Sequence, residues 1–252
     1  MYTMNQEGNA LVYRWDGEVL SIMPWGENSF RVRSTVLGEV EDTDWALLPQ
    51  EETTAEIHVE EYTARITNGK ITAELTVDSW SHYCDIAFYN QKGELLLKGK
   101  GGALDKKNRF FKPIIGGDYR LTVTFASNPK EKLYGMGQYQ QDILNVKNCN
   151  LELAHRNSQA SVPFVLSDLG YGFLWHNPAI GRVSFASNTT EWYAESTKQM
   201  DYWITAGDTP DEIEQAYGRA VGTVPEMPEY GLGFWQCKLR YWNQEDLLSV
   251  AR

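Results

Sequence analysis

A succession of short β-rich runs, separated by turn residues from residue 18 to about residue 205, is the strongest constraint on this fold. The spacing is typical of an antiparallel sandwich or barrel rather than a parallel α/β sheet. In "SFRVR" the alternation places Phe30 and Val32 inward and Arg31 and Arg33 outward, as in a half-buried strand. Further runs are "AEIHVEEYTARITN", "KITAELTVD", "CDIAFYN", "ELLLKG", "YRLTVTFAS", "ASVPFVLSD", "YGFLWHN" and "RVSFAS". Tight reversals are expected at Asn68-Gly69, Lys92-Gly93 and Leu169-Gly170.

The pattern changes at residue 208 to that of an amphipathic helix. Thr209 provides an N-cap, Pro210 suits the first helical position, and Glu212 completes a capping box. Apolar residues then recur at helical spacing, and Gly222 supplies the stop. These apolar residues are Ile213, Ala216, Tyr217, Ala220 and Val221.

A proline-rich stretch, "VPEMPEY", then separates two kinds of architecture. Beyond it, "GLGFWQCKL" is apolar at successive positions, as in a strand covered on both faces, and Asn243 caps a helix in "QEDLLSVAR". This is a single βα unit of the kind that a (β/α)8 barrel repeats. The expected fold is therefore mainly β. Its expected divisions are an antiparallel β-sandwich at residues 1–207, a helix and linker at 208–229, and the first βα unit of a barrel at 230–252.

The charge distribution argues against nucleic acid as a partner. The 34 acidic and 23 basic residues give a net charge of −11, and the basic residues are scattered, so no face is suited to neutralising phosphates. The same charge distribution argues against an anionic membrane surface as a partner. No uncharged apolar run approaches the roughly 18 residues that a membrane span needs.

The N-terminal sequence and the cysteines indicate a cytoplasmic protein. "MYTMNQEGNALVYRWDGEVL" lacks the basic stretch and apolar core of a signal peptide. Cys84, Cys149 and Cys237 are odd in number, far apart and outside any C-x-x-C arrangement, which fits three free thiols in a reducing compartment.

We find no motif for a cofactor or a metal. Gly135-Met136-Gly137 resembles the start of a dinucleotide fingerprint, but the third glycine and the surrounding βαβ pattern are missing, which favours a glycine-rich strand or turn. The four histidines are dispersed, and none lies three or four residues from another candidate ligand on a predicted helix. They are His58, His82, His155 and His176.

Several long segments in the second half of the chain occur together in one order and spacing. They are "KLYGMGQYQQ", "HRNSQASVPFVLSDLGYGFLWHNP" and "WITAGDTPDEIEQAYGRAVGTVPEMPEYGLGFWQCKLRYW". With these motifs the sequence resembles glycoside hydrolase family 31, which contains α-glucosidases and α-xylosidases. Two earlier segments, "PWGENSFRVR" and "RFFKPIIGGDYRLTVTF", are similar to the N-terminal domain of the same family.

The resemblance implies a galactose-mutarotase-like β-sandwich packed on a (β/α)8 barrel, with "GLGFWQCKL" as the first barrel strand. Members of the family are retaining glycosidases that use two aspartates, one as nucleophile and one as general acid and then base. Both aspartates are expected on later barrel strands, beyond Arg252, so no catalytic residue is assigned within this chain. The expected function is that of the N-terminal region of an α-xylosidase or α-glucosidase. This region is expected to be inactive by itself. The complete enzyme is expected to act on the non-reducing ends of α-linked oligosaccharides, without a cofactor.

The resemblance implies a first substrate-binding place in the loop between Tyr134 and Val162. This loop is expected to reach over the barrel mouth and to contact the leaving-group sugar, with Arg156 and Asn157 standing where many members have Arg-Asp. An amide both donates and accepts hydrogen bonds, whereas a carboxylate only accepts them. The difference is therefore expected to alter the preference for leaving groups.

A second substrate-binding place is expected at Lys238 to Trp242, the carboxyl end of the first barrel strand, because barrel active sites are built at that end. Arg240 or Tyr241 is expected near the sugar ring, and Tyr241 is able to stack on it. The sequence leaves open which of the two points inward.

Two other functions remain open at this point. One is a free-standing carbohydrate-binding module that uses exposed rings, since aromatic residues make up 13% of the chain. The other is a mutarotase-like epimerase, which needs a histidine and a carboxylate on one sheet face, a placement that the sequence does not give for His155 or His176. An isolated barrel strand would also expose Phe234 and Trp235, so we expect either self-association, including a homo-oligomer, or poor solubility.

Overall fold

The computed structural model describes residues 2–102, 105–235 and 239–251. The chain divides into two compact units, one ending at Gly222 and the other beginning at Thr223. Within the described residues, the first unit contains all the strands and one helix, and the second contains a short 3-10 helix and one α-helix. The mainly β fold that the sequence predicts is confirmed.

Eighteen strands lie within the described residues, in three sheets. The eight-stranded sheet contains, in spatial order, β1 (Thr3–Glu7), β2 (Ala10–Trp15), β3 (Glu18–Pro24), β4 (Ser29–Thr35), β18 (Met200–Ala206), β15 (Tyr171–Trp175), β14 (Ala160–Ser167) and β12 (Leu133–Gln138). The β11 sheet contains β10 (Arg109–Pro113), β11 (Tyr119–Ala126), β17 (Thr189–Thr197), β16 (Gly181–Phe185) and β13 (Asn150–Leu153). The β7 sheet contains β5 (Glu56–Val59), β6 (Thr63–Asn68), β7 (Ile71–Val77), β8 (Cys84–Asn90) and β9 (Leu95–Lys98). Every pairing among these strands is antiparallel.

An aromatic cluster in the core joins the three sheets. Phe173 of β15 and Tyr202 of β18 stack with their ring centroids 4.8 Å apart, and Phe173 also stacks on Trp192 of β17 at 5.1 Å. Phe125 of β11 and Phe88 of β8 meet the Tyr202 ring edge-on, at 5.9 and 6.3 Å. All five side chains are at most 2% exposed. The sheets therefore pack around one apolar core.

The three expected reversals are confirmed, each by a glycine with positive φ. Gly69 (φ 57°) joins β6 to β7, Gly93 (φ 77°) joins β8 to β9, and Gly170 (φ 91°) joins β14 to β15. Positive φ is inexpensive only for glycine, which is why these positions can be recognised in the sequence.

Helix α1 (Pro210–Val221) begins where its sequence predicts. The Glu212 N–H donates to Thr209 Oγ1 at 3.3 Å, and the Glu212 carboxylate accepts from the Asp208 N–H at 3.0 Å. The carboxylate thus reaches one residue before the N-cap, which is a variant of the expected capping box. Gly222, with φ 101°, ends the helix.

The predicted apolar face of α1 packs on the eight-stranded sheet, on the face opposite the aromatic cluster. Tyr217 stacks on Phe164 of β14 with centroids 3.9 Å apart, and Ile213 is 1% exposed. Trp203 of β18 lies in the same cluster, and its indole N–H donates to the Trp25 carbonyl at 3.0 Å. The helix is therefore part of the first unit.

The prediction that β4 is half-buried is wrong, since Arg31 and Arg33 are 0% and 6% exposed. The alternation does place them opposite the core-facing residues of the strand. That second face is covered by residues 36–55, called the covering segment, whose carbonyl and carboxylate oxygens reach both guanidinium groups. A period of two shows which residues share a face, but it does not show whether another segment covers that face.

Arg31 is the centre of the polar contacts beneath the covering segment. Its Nη2 and Nε donate to Asp201 of β18 at 2.7 and 3.1 Å, and its Nη1 donates to Asp44 at 2.6 Å. The guanidinium carbon lies 4.6 Å from the centroid of the Trp25 ring. Burial opposes the charge of Arg31, but the hydrogen bonds to Asp201 and Asp44 and their charges outweigh it and raise the Arg31 pKa.

His176 provides a second anchor for the covering segment. Nε2 of this buried imidazole accepts from the N–H groups of Trp45 and Ala46 at 3.1 and 3.0 Å. Because Nε2 accepts, the neutral ring carries its proton on Nδ1. Nδ1 lies 3.2 Å from Asp201 Oδ2, at an angle that makes no hydrogen bond. Asp201 therefore lies against both anchors of the segment, Arg31 and His176.

A second buried ion pair joins the three sheets at another point. Arg109 of β10 donates through Nε to Glu18 of β3 at 2.7 Å and through Nη2 to the Cys84 carbonyl of β8 at 3.0 Å. The Ser34 hydroxyl donates to the same Glu18 oxygen at 2.6 Å. Burial raises the pKa of Glu18, but the charge of Arg109 and these hydrogen bonds outweigh it, so the pKa is lowered overall.

In the second unit, the 3-10 helix spans Glu229–Leu232 and helix α2 spans Gln244–Ala251. The predicted cap of α2 is confirmed, because the Asp246 N–H donates to Asn243 Oδ1 at 2.9 Å. Gly231 and Leu232, the first residues of the predicted strand "GLGFWQCKL", belong to the 3-10 helix, residues 233–235 and 239 lie in no strand, and residues 236–238 lie outside the described residues. The strand, and with it the start of a barrel, stays a prediction.

Arg31→Met is expected to lower the free energy of unfolding by about 3–5 kcal/mol, because Asp201 would stay buried without its cationic partner. Arg33→Met is the matched control, since the ion-pair partner of Arg33 is Asp42, which is 80% exposed and is solvated by water. A loss of only about 1 kcal/mol is expected for the control. Urea titrations of both variants measure the difference. Equal losses would contradict the role of Arg31 as the anchor.

The lowered pKa of Glu18 predicts a loss of stability in acid. The folded-state pKa lies below that of an unfolded glutamate, about 4.3, so the contribution of Glu18 is complete above that pH and is lost as the pH falls through the folded pKa. Between about pH 5 and pH 3, the free energy of unfolding of Glu18→Gln is therefore expected to fall less steeply than that of the parent. Parallel curves for the two proteins, measured by urea titration, would show that Glu18 makes no such contribution.

Candidate functional site

The glycine-rich stretch at Gly135, for which the sequence left a strand or a turn open, forms β12, an edge strand of the eight-stranded sheet. Gly135, Met136 and Gly137 have φ values of 109°, 73° and 89°, and the register of β12 against β14 shifts between the two glycines. A Cβ at Gly137 would lie 2.3 Å from the Ala160 carbonyl oxygen, so only glycine fits there. A bulge of this kind bends the strand. After this bend the chain continues into residues 139–149.

Two connections close one side of the sandwich. Residues 139–149 lead from β12, an edge strand of the eight-stranded sheet, to β13, an edge strand of the β11 sheet. Within them the Val146 N–H donates to the Leu133 carbonyl at 2.8 Å. Residues 154–159 then return the chain from β13 to β14. We call the two connections the edge loops.

Tyr139, in the first edge loop, contacts β13 and β14, the two strands that the second edge loop connects. Its hydroxyl donates to the Glu152 carbonyl of β13 at 2.7 Å and lies 3.0 Å from Ser161 Oγ of β14. Burial raises the pKa of Tyr139, so the hydroxyl stays protonated and can donate near neutral pH. The root of the first loop is therefore fixed against both sheets.

Arg156 lies in the second edge loop and pairs with Glu152 of β13. Its Nε and Nη2 donate to the two carboxylate oxygens at 2.7 and 2.6 Å, a bidentate pair that leaves the Arg156 side chain 61% exposed. The hydrogen bonds from Arg156, and its charge, lower the pKa of Glu152, so this carboxylate is ionised at neutral pH. The guanidinium has five N–H donors in all and keeps some of them for a ligand.

Asn157 is exposed and follows Arg156 in a tight turn. Ser158 has φ 66°, and the Gln159 N–H donates to the Arg156 carbonyl at 3.0 Å, so the backbone reverses between these residues. The structure thus places the first two predicted site residues together at the tip of one loop. A guanidinium beside an amide offers several donors and one acceptor to the hydroxyl groups of a sugar.

The other two predicted site residues, Arg240 and Tyr241, belong to the second unit. Arg240 is exposed, with its guanidinium carbon 4.8 Å from the centroid of the Trp242 ring, and Tyr241 is half-buried. Lys238, at the start of the predicted segment, lies outside the described residues. A guanidinium stacked on an indole keeps its in-plane donors, so Arg240 stays a candidate for binding hydroxyl groups.

A histidine and a carboxylate do lie together in the first unit, but they leave no room for a sugar. His176 and Asp201 are 3% and 2% exposed and lie beneath the covering segment, whose N–H groups occupy His176 Nε2. His155 is exposed and accepts from the Ser161 N–H at 3.4 Å. The arrangement that a mutarotase-like epimerase needs is therefore not provided by His176.

Sequence reasoning missed Tyr139 and Glu152 as parts of this site. Glu152 precedes Arg156 by four residues, a spacing that brings side chains together on a helix, but these residues form the end of a strand and a turn. Nothing in the sequence marked Tyr139, because its two hydrogen-bond partners follow it by 13 and 22 residues along the chain.

In residues 2–102, 105–235 and 239–251, no group of three or more histidine, cysteine, aspartate or glutamate side chains is placed to hold a metal ion. Over the same part of the chain, no helix has the length and apolar character needed to cross a membrane. Cys84 is buried and Cys149 is half-buried, both as free thiols, and Cys237 falls outside the described residues.

Comparison with known proteins identifies the fold. The family model described as "Glycosyl hydrolase 31 N-terminal galactose mutarotase-like domain" matches residues 19–183. A protein of Pseudescherichia vulneris named "Uncharacterized family 31 glucosidase ORF2" is 48% identical over 100% of this chain and 50% of its own length. An "Alpha-xylosidase" of Saccharolobus solfataricus is 29% identical over 73% of this chain and 27% of its own length.

A solved structure gives the same result. The crystal structure of a family 31 α-xylosidase from a soil metagenome, complexed with xylose, has a TM-score of 0.88 and 49% identity, and the match covers 99% of this chain and 39% of that one. The present chain thus spans about half the length, or less, of the relatives that it matches. It belongs to glycoside hydrolase family 31 and carries that family's N-terminal galactose-mutarotase-like domain.

Proposed function

We propose that this chain is the N-terminal region of a retaining α-glycosidase of the α-xylosidase or α-glucosidase type, which releases sugars from the non-reducing ends of α-linked oligosaccharides. The observation that carries the proposal is the match of nearly the whole chain to an α-xylosidase complexed with xylose. Relatives named as glucosidase and as xylosidase both support the activity class, and the identity of the released sugar stays open between them.

We propose that residues 1–207 form the accessory sandwich, that residues 208–229 connect it to the catalytic domain, and that residues 230–252 begin a (β/α)8 barrel. The packing of α1 on β14 and β18 supports a connection that starts from a fixed point. The apolar, exposed side chains of the second unit support a role inside a larger domain or an oligomer. Phe234 and Trp235, for example, are 90% and 67% exposed.

In this proposal the chain contributes binding rather than the chemical step. Retaining hydrolysis needs two carboxyl groups about 5–5.5 Å apart, one of them a nucleophile, and we place both on parts of the barrel beyond this chain. Arg156 and Asn157 would bind the leaving-group sugar. Glu152 holds the Arg156 guanidinium in position, and Tyr139 fixes the strand from which Glu152 projects.

We also propose that the protein acts in the cytoplasm, on soluble oligosaccharides, without a cofactor and without nucleic acid or membrane as a partner. The support is the net charge of −11 with scattered basic residues, and two described cysteines that are free thiols. Self-association stays a prediction, supported by the exposed apolar side chains of the second unit.

The 252-residue chain is expected to give no turnover of nitrophenyl α-xyloside or nitrophenyl α-glucoside, because it would lack both carboxyl groups of the reaction. A chimera in which residues 1–222 replace the corresponding domain of the Pseudescherichia vulneris relative is expected to hydrolyse at least one of them. Release of nitrophenolate measures both, with a mechanism-based covalent inhibitor as control. Turnover by the chain alone, abolished by the inhibitor, would overturn the assignment of the chemical step to the barrel.

In the same chimera, Arg156→Ala is expected to raise the KM for a disaccharide substrate about tenfold, because charge-assisted hydrogen bonds to the leaving-group sugar are lost. The KM for a nitrophenyl glycoside, whose leaving group has no sugar hydroxyls, should change little. Arg65→Ala is the matched control, since Arg65 is also exposed and paired with a glutamate, Glu74, but lies on β6 in the β7 sheet, outside the edge loops. Asn157→Asp tests the neighbouring position and should change the ranking of disaccharide substrates.

Equal effects of Arg156→Ala on the disaccharide and on the nitrophenyl glycoside would contradict contact with the leaving-group sugar. An equal effect of Arg65→Ala would show that charge at the surface, rather than position, is responsible. Because the Arg156–Glu152 pair is exposed, its loss should leave the thermal unfolding midpoint of the chimera unchanged. That measurement separates a binding role from a folding role.

A further inference from the structure

A groove of about 460 Å³ opens at the end of the sandwich where three turns meet the covering segment. The turns connect β10 to β11, β15 to β16, and β17 to β18. The volume lies within the range of small-molecule sites. We call this groove the Trp45 groove. Its lining includes the aromatic ring of Trp45 and the polar residues Glu41, Asp118, Asn177, Lys198 and Gln199.

Trp45 presents to this groove an indole ring that is 64% exposed. The backbone that carries the ring is fixed from beneath. The Trp45 N–H donates to the buried His176 Nε2 at 3.1 Å, and the carbonyl of Thr43 accepts from Arg31 Nη2 at 2.7 Å. The backbone beneath the ring is therefore preorganised, so a ligand that stacks on Trp45 does not have to order the chain that carries the ring.

Polar groups that are held in place surround the ring. The Gln199 amide accepts from the Glu41 N–H at 2.8 Å and donates to the Glu41 carbonyl at 3.1 Å, which ties the covering segment to the β17–β18 turn. The Glu41 carboxylate lies 3.4 Å from the Lys198 ammonium, and both side chains are about half exposed, at 50% and 54%. Asp118 accepts from the Ser196 hydroxyl at 2.6 Å. These groups are positioned by one another and still reach solvent.

The charges of the groove argue for a neutral, hydroxylated ligand. Two carboxylates, Glu41 and Asp118, lie with one ammonium, Lys198, so an anion such as phosphate is not favoured, and the ammonium opposes a cation. An apolar ligand would desolvate these charges without replacing their hydrogen bonds to water. A pyranose can contact both the indole ring and the polar groups of the groove. Its C–H face packs on an indole, and its hydroxyls pair with carboxylate, ammonium and amide groups.

We propose that the Trp45 groove is a binding site for a neutral oligosaccharide, with one pyranose stacked on Trp45 and its hydroxyls bonded to Glu41, Asp118 and Lys198. The choice of a sugar as ligand rests in part on the proposed function, whereas the groove shares no residue with the edge loops. Trp80 offers a matched control. It is 92% exposed at the turn between β7 and β8 and takes no part in the groove.

The test is a titration of the full 252-residue chain, labelled with 5-fluorotryptophan, with isoprimeverose and with maltotriose. Fluorine NMR resolves the tryptophans, and Trp45→Phe and Trp80→Phe assign the two resonances of interest. A saturable shift of the Trp45 resonance with at least one sugar is expected, with the Trp80 resonance unmoved. By calorimetry, Trp45→Ala should weaken binding about tenfold or more, and Trp45→Tyr should retain most of it, because a phenol ring also stacks. Trp80→Ala should leave the affinity unchanged.

No shift at about 10 mM sugar, where a site with a Kd of about 1 mM would be about nine-tenths filled, would overturn the proposal. Equal shifts at Trp45 and Trp80 would also overturn it. A Trp45 resonance that shifts with protein concentration but not with sugar concentration would also overturn the proposal, because it would identify a contact between copies of the chain. Because the Trp45 ring is exposed, Trp45→Ala is expected to fold, and its unfolding midpoint checks this. The titration requires no hydrolysis, so failure of the proposed glycosidase activity and failure of this site give different results.

Discussion

The buried ion cluster of Arg31 with Asp201 and Asp44 is the interaction on which the rest of the first unit depends. Arg31 lies on β4 and Asp201 on β18, the pair of strands that joins the N-terminal and C-terminal halves of the eight-stranded sheet. Charges as deeply buried as those of Arg31 and Asp201 stabilise the fold only when they are paired, since each would be costly alone. The covering segment completes this cluster, because its Asp44 and its Thr43 carbonyl accept from the Arg31 Nη1 and Nη2 groups.

Docking of the covering segment has two consequences. Near its middle, the contacts with Arg31 and His176 fix the backbone that presents the Trp45 ring. A few residues later, the Leu48 N–H donates to the Ala220 carbonyl at 2.7 Å, in the last turn of α1. The final carbonyls of a helix have no partner within the helix, so this bond satisfies a group that would otherwise need water. One segment thus links the buried charges, an exposed ring and the end of the helix.

Most of the structural features that the sequence predicts depend on local signals. The reversal at Gly69, the N-cap at Thr209 and the helical face of α1 each depend on residues within a few positions of one another. The burial of Arg31 and the contacts of Tyr139 depend on segments far away in the chain, so periodicity could not reveal them. β12 was obscured for a third reason: its glycines allow a bulge and weaken the strand pattern. For the candidate site, the family resemblance proposed Arg156 and Asn157, which stay a prediction, and it did not indicate Glu152, which pairs with Arg156, or Tyr139.

The strand register determines where the two candidate sugar-contacting features open. Leu153 pairs with Gly181, and Gly181 pairs with Ala194, so residues 154–159 leave the β11 sheet at the end where the β15–β16 and β17–β18 turns form the Trp45 groove. At the opposite end, the Gly207 N–H donates to the Gly170 carbonyl at 3.1 Å, just before α1 begins. The faces of the eight-stranded sheet are occupied by the aromatic core on one side and by α1 with the covering segment on the other. A glycan that touched both the edge loops and the groove would therefore cross one end of the sandwich, where the turns leave side chains exposed, rather than a sheet face.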